Sequence, residues 1–329
     1  MHPNLDPELR AAVEREPPAT ANLSGATHED LLALRARRSA DLAAAAPQVG
    51  QGVRVEDVVV PGPGGDLRLR VYRPAAQDGP LPGVYWIHGG GMVLGSPEAD
   101  DARAGSYVRR VGCVVVSVDY RLAPEHPHPA PVEDCYAGLA WTAAHAADLG
   151  VDAGRLAVGG VSAGGGLAAG TALLARDRGG PELVFQLLLC PMLDDREVTP
   201  SGRSFEDAVT WNRGSNRFGW SALLGDAAGG EDVPVHAAPA RAADLSGLPP
   251  AYVDVGELEV FRDECAEYAL RLARAGVPVE FHLWPGAFHG FDTVVPGATL
   301  SRRARAERVA ALTRALIEGL TRPGPALRI

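Results

Sequence analysis

The most constraining feature of this chain is an alternation. Apolar runs of six to eight residues recur, each separated from the next by a longer stretch with helical spacing. The runs are GVYWIH (83–88), CVVVSVDY (113–120), RLAVGGV (155–161), VFQLLLC (184–190), AYVDVGE (251–257) and VEFHLWP (279–285). Runs this short and this continuously apolar suit strands buried on both faces, as in parallel sheets. The stretches between them predict helices over 98–110, 131–148, 163–178 and 261–275, with a last helix over 299–320. Tight turns cannot join parallel strands, so these helices cross over and cover both faces of the sheet. Ahead of the series, VRVEDVVV (53–60) and DLRLRVYR (66–73) alternate apolar and polar residues around PGPGG, which predicts an antiparallel hairpin. The expected core is therefore an α/β fold with a mostly parallel eight-stranded sheet.

Two segments fall outside the alternation. Residues 1 to about 50 have helical spacing and no strand signal, with Leu31, Leu32, Leu34 and Leu42 behind a candidate N-cap at Thr27. Residues from about 196 to 235 are polar, aromatic and irregular. An insertion between a strand ending near Cys190 and one starting near Ala251 lies over the C-terminal edge of the sheet, where open α/β sheets bind their ligands. The two segments together predict a helical cap. Residues 1–50 form its first part, and the main domain, 51–329, carries the second at 196–235.

Composition removes several function classes. With 46% hydrophobic and 22% charged residues the chain has the balance of a globular protein. Its formal net charge of -10 argues against a nucleic-acid partner or an anionic membrane surface, both of which need a basic face. No lysine occurs, which excludes a Schiff base, a Ser-Lys dyad and a lysine-dependent phosphate loop. MHPNLDPELR has no basic stretch leading into an apolar run, so a cytoplasmic location is expected. Cys113, Cys135, Cys190 and Cys265 are widely spaced and read as buried free thiols. His126 and His128 lack a third ligand nearby, and no metal site is expected.

Chemistry concentrates at Gly160-Val161-Ser162-Ala163-Gly164. A serine among small residues, with a strand before it and a helix after it, fits the strand-to-helix nucleophile elbow. The competing reading is a glycine-rich loop whose serine caps the next helix. A nucleophilic serine needs a base, an orienter for that base, and donors for the oxyanion. HGGG (88–91) supplies donors, because glycines after a central strand let backbone N–H groups point into open space. His88 is expected to brace that loop, since in such folds the base comes last in the chain. His289, in PGAFHGF between Gly286 and Gly290, is then the base, while His282 sits inside a strand. The acid belongs to DVGELEVFRDE (254–264). Asp254 lies within the strand and points away, and Asp263 and Glu264 belong to a helix. Glu257 and Glu259 remain, and pattern alone does not separate them.

Taken together, HGGG, VDYRLAPEHPHPAPVED (118–134), GVSAGGG, FRDE and FHGF resemble the hormone-sensitive lipase family of bacterial esterases, members of the α/β-hydrolase fold. The resemblance spans most of residues 53–315. It implies Ser162 as nucleophile, His289 as base, and an oxyanion hole built from the N–H groups of Gly90, Gly91 and Ala163, with His88 and Gly89 supporting it. It also implies a helical cap, no cofactor, a small-molecule ester substrate and a possible homodimer. Three positions depart from the family pattern. Val161 stands where Asp is common, and Met92 replaces an aromatic after HGGG. The acid is usually Asp in a DPLRDE-like segment: anchoring on Arg262-Asp263-Glu264 places Glu259 there, whereas anchoring on Gly256 places Leu258. Glu259 is the choice, with Glu257 as the alternative. The expected activity is hydrolysis of short- to medium-chain carboxylic esters through an acyl-enzyme. The same machinery would serve an amidase or formamidase. A noncatalytic binding protein on this fold would have lost a member of the triad.

Overall fold

All eight predicted strands form, and they join one sheet in the order β1-β2-β4-β3-β5-β6-β7-β8. In chain order, α1 (Pro7–Arg15) and α2 (His28–Ala44) precede the hairpin of β1 (Val53–Gly62) and β2 (Gly65–Pro74). Then come β3 (Leu81–Ile87), α3 (Asp101–Val111), β4 (Val114–Val118), α4 (Ala130–Ala144), β5 (Val151–Val161), α5 (Ala163–Asp177) and β6 (Phe185–Leu189). The insertion holds α6 (Pro200–Ser204) and α7 (Arg213–Leu224). The chain closes with β7 (Ala251–Leu258), α8 (Arg262–Arg274), β8 (Val279–Phe288), α9 (Phe291–Val294) and α10 (Thr299–Thr313). This computed structural model describes residues 2–18, 22–45 and 48–319. Residue 320, the predicted end of the last helix, lies outside them.

Only β2 runs against its neighbours; every pairing from β4 to β8 is parallel. Burial follows position. Central β4 and β6 are buried at every residue, which is why their sequences are continuously apolar, while β1 at the edge alternates. Two boundaries differ from expectation in instructive ways. Helix α4 stops at Ala144 because the following residues turn back, with Val151 N–H donating to Ala146 O at 2.7 Å. Strand β8 runs to Phe288, not Pro285, because its register against β7 slips between Gly256 and Leu258 and pairing resumes at Leu258 and Phe288. That extension delivers His289 at the C-terminal end of the sheet.

A buried ion network holds this end in place. Arg308 of α10 donates to Asp254 of β7 and to Asp292 of α9, each at 2.6 Å, and Trp284 Nε1 also donates to Asp254. Asp254 thus points away from the site, as expected. Burial opposes the Asp292 charge, but Arg308 and Arg103 beside it bring its pKa down to about 2. Removing one partner leaves an uncompensated buried charge. Arg308→Met should therefore lower unfolding stability by about 3–5 kcal/mol, read as a shift of the urea midpoint at constant slope.

Candidate active site

Ser162 joins β5 to α5 with φ 58° and ψ -122°, a backbone state that L residues avoid. Its surroundings over-determine it. The Ser162 N–H donates to Leu189 O at 2.7 Å, and its carbonyl accepts from Gly166 and Met192 N–H groups at 3.0 Å. Although Ser162 occupies the N-cap position of α5, its side chain makes no capping hydrogen bond. Instead Ser162 Oγ stands 3.0 Å from His289 Nε2. The turn is tight enough that a methyl group on Gly164 would strike the carbonyl oxygens of Ile87 and His88. Gly164→Ala should accordingly lose at least ~1–3 kcal/mol of stability and shift the loop at 88–91, measurable by thermal unfolding and by a drop in kcat.

The loop after β3 faces this serine. Gly90 and Gly91 have φ of 125° and 63°, and their N–H groups donate to no acceptor among the described residues. The Ala163 N–H opens α5 and so has no partner within the helix. The Trp211 ring lies so close over Gly91 that a Cβ there would collide with it. His88 braces the loop from behind. Its Nδ1 is 2.9 Å from Gly89 O, and its ring stacks on Tyr120, whose hydroxyl donates to His88 O at 3.0 Å. Burial depresses the His88 pKa, which keeps the ring neutral.

Behind His289 the two candidate acids part. Glu259, almost fully buried, hydrogen bonds His289 Nδ1 through Oε2 and accepts from Gly256 N–H at 2.6 Å through Oε1. Glu257 accepts from Gly286 N–H at 2.7 Å and does not reach the imidazole. Asp263 accepts from Ser201 N–H at 2.7 Å, and Glu264 from Leu193 N–H at the same distance. Both are spent on holding the segment after β6. His282 is held in β8 by Glu280 and stacks against Trp284.

Three neighbours of the site carried no sequence signal. Thr210 Oγ1 donates to His289 O at 2.6 Å, and Trp211 covers the glycine loop; both come from the irregular insertion. Cys190, at the end of β6, sits beside the imidazole. Cys190, Glu259 and His289 bring one donor atom each within 4.8 Å of one another, the one such group among the described residues. A metal there would have to part His289 from Glu259.

The electrostatics follow from burial and this contact. Burial opposes a charged His289, but the Cys190 sulfur and the Glu259 carboxylate outweigh it and hold the pKa well above the ordinary histidine value. Burial also pushes the Cys190 thiol up, with His289 beside it acting in the opposite sense. A base must start neutral. With His289 as the base, kcat/KM should therefore rise with pH through a midpoint above the ordinary histidine value of about 6.5, as a pH–rate profile will show. The charged pair stabilises the fold below the unfolded-state pKa and loses that contribution as pH climbs through the raised folded value.

These groups open into a cleft of about 1160 Å³ lined by Gly89–Gly91, Ser162 and His289, by Trp211 of the insertion, by residues of α1 and by Arg38 of α2. The N-terminal segment and the insertion touch directly: Leu23 N–H donates to Ser215 Oγ at 3.0 Å.

A family model described as "alpha/beta hydrolase fold" matches residues 84–293. Among curated proteins, the carboxylesterase NlhH of Mycobacterium tuberculosis is 38% identical over 95% of this chain and 97% of its own length. The esterase LipI of the same species is 40% identical over 75% of this chain and 78% of its own length. Among solved structures, a bacterial heroin esterase superposes with a TM-score of 0.88 at 43% identity, covering 95% of this chain and 98% of its own.

Proposed function

The chain belongs to the alpha/beta hydrolase family, in its hormone-sensitive-lipase-like branch, and is a carboxylic ester hydrolase; on that premise we propose that it cleaves short- to medium-chain esters through an acyl-enzyme on Ser162. The observation that carries this reading is the hydrogen-bonded chain from Ser162 Oγ through His289 to Glu259, with 3.0 Å between Oγ and Nε2. His289 Nε2 takes the hydroxyl proton as Oγ attacks the ester carbonyl. The N–H groups of Gly90, Gly91 and Ala163 hold the oxyanion, each donor contributing about a hundred- to a thousand-fold in rate. The imidazolium then protonates the leaving alcohol, and water repeats the sequence on the acyl-enzyme. Glu259 keeps the imidazole in the productive tautomer and stabilises its charged form.

The segments 1–50 and 196–235 act as the cap of this reading. Their mutual hydrogen bond and shared lining of the cleft support that role. A capped cleft suits soluble esters, not emulsified fat. The test is turnover of p-nitrophenyl esters from acetate to palmitate: activity should peak at or below about eight acyl carbons, and equal rates on long-chain triglyceride emulsions would refute the assignment. Matched anilides should turn over far more slowly than the esters. No described helix is long and apolar enough to cross a membrane. Edge strand β8 leaves Phe281 and Leu283 exposed, which supports a homodimer, to be read by analytical ultracentrifugation.

A further inference from the structure

Three arginines line the cleft: Arg15, Arg38 and Arg103. Arg103 is spent on Asp100, Asp292 and Thr293. Arg15 is exposed in the last turn of α1. Arg38 differs from both. It is half-buried on α2, three residues after Arg35 and hence on the same face of the helix. Arg35 anchors that face, donating to Val93 O and Ala123 O and pairing with Glu125. Arg38 makes no hydrogen bond or ion pair with any described residue.

The carboxylates of the cleft leave it unmatched. Glu8 accepts from Thr299 N–H, Asp100 accepts from Trp86 Nε1 and holds Arg103, and Glu16 is exposed. Burial, with adjacent Arg37, lowers the Arg38 pKa, the mark of a cation short of a counter-charge. A guanidinium in that condition gains most from a carboxylate, which it can grip with two parallel hydrogen bonds.

We propose that the cleft prefers esters carrying a second, ionised carboxylate, and that Arg38 is the specificity-determining residue that holds it. This rests on the esterase reading of the same site. The carboxylate is a spectator: ester and water still give acid and alcohol.

The test compares p-nitrophenyl hydrogen adipate with p-nitrophenyl hexanoate, which matches it in chain length but is neutral. A second arm places the charge on the alcohol side, comparing the hexanoate esters of 4-hydroxybenzoate and of phenol. Ratios of kcat/KM are compared between variants, which cancels the intrinsic reactivity of each ester. In R38Q the anionic-to-neutral ratio should fall about five- to ten-fold in one arm, through KM. R38K should recover part of it, and R37Q, which alters a neighbour outside the cleft, should match the wild type. A ratio unmoved by R38Q in both arms, or lowered equally by R37Q, overturns the assignment of Arg38 and leaves the esterase intact. Failure of the wild type on hexanoate itself overturns both.

Discussion

Ser162→Ala should lower kcat on p-nitrophenyl butyrate by about a million-fold, the scale on which removal of a triad nucleophile acts. Alanine fits the elbow no worse than serine, because both carry one Cβ at the same positive φ and the Ser162 backbone hydrogen bonds do not involve the hydroxyl. The melting temperature should therefore stay within a few degrees (~3 °C) of the parent, which separates loss of chemistry from loss of fold. The residual rate comes from the oxyanion donors and binding alone. In the parent, an activated phosphonate should label one serine per chain and leave Ser162→Ala untouched. Undiminished turnover by the variant would sink the mechanism, because no other hydroxyl lies within hydrogen-bonding reach of His289 Nε2 among the described residues.

The reach of sequence reading follows from how local each signal is. Strands buried on both faces write their burial as continuous apolar runs, so β3 to β8 were legible to within a few residues. Ser162 and the glycines at 89–91 were legible for a related reason: a sharp turn and a close backbone approach restrict the residue type at the position itself. The acid was not. Glu257 and Glu259 differ only in what a two-residue loop does after a register slip at Gly256, and nothing in either side chain encodes that slip. Cys190 reads as a buried thiol in the sequence, and it is buried, but its place beside His289 arises from β6 lying between β5 and β7 in the sheet. Arg38 carries no signal of its own in the sequence. Only the packing of α2 over the cleft distinguishes it from Arg37.

Glu259→Gln should cost about four orders of magnitude in kcat, whereas Glu257→Gln should stay within about ten-fold of the parent. The difference is one of proton placement. A carboxylate at Nδ1 can only accept, so it fixes the imidazole proton on Nδ1 and leaves Nε2 free to take the serine proton. A glutamine amide can donate to Nδ1, which moves the proton to Nε2 and blocks the base. Glu257 instead accepts from Gly286 N–H, a duty that a glutamine carbonyl can still perform. Charge provides a second readout. With Glu259 neutralised, burial acts on His289 with one of its two opponents gone, so the residual activity should titrate with a midpoint below that of the parent. Glu257→Gln should leave the midpoint in place. A large loss and a shifted midpoint in the Glu257 variant, with Glu259→Gln near parental activity, would move the acid two residues upstream.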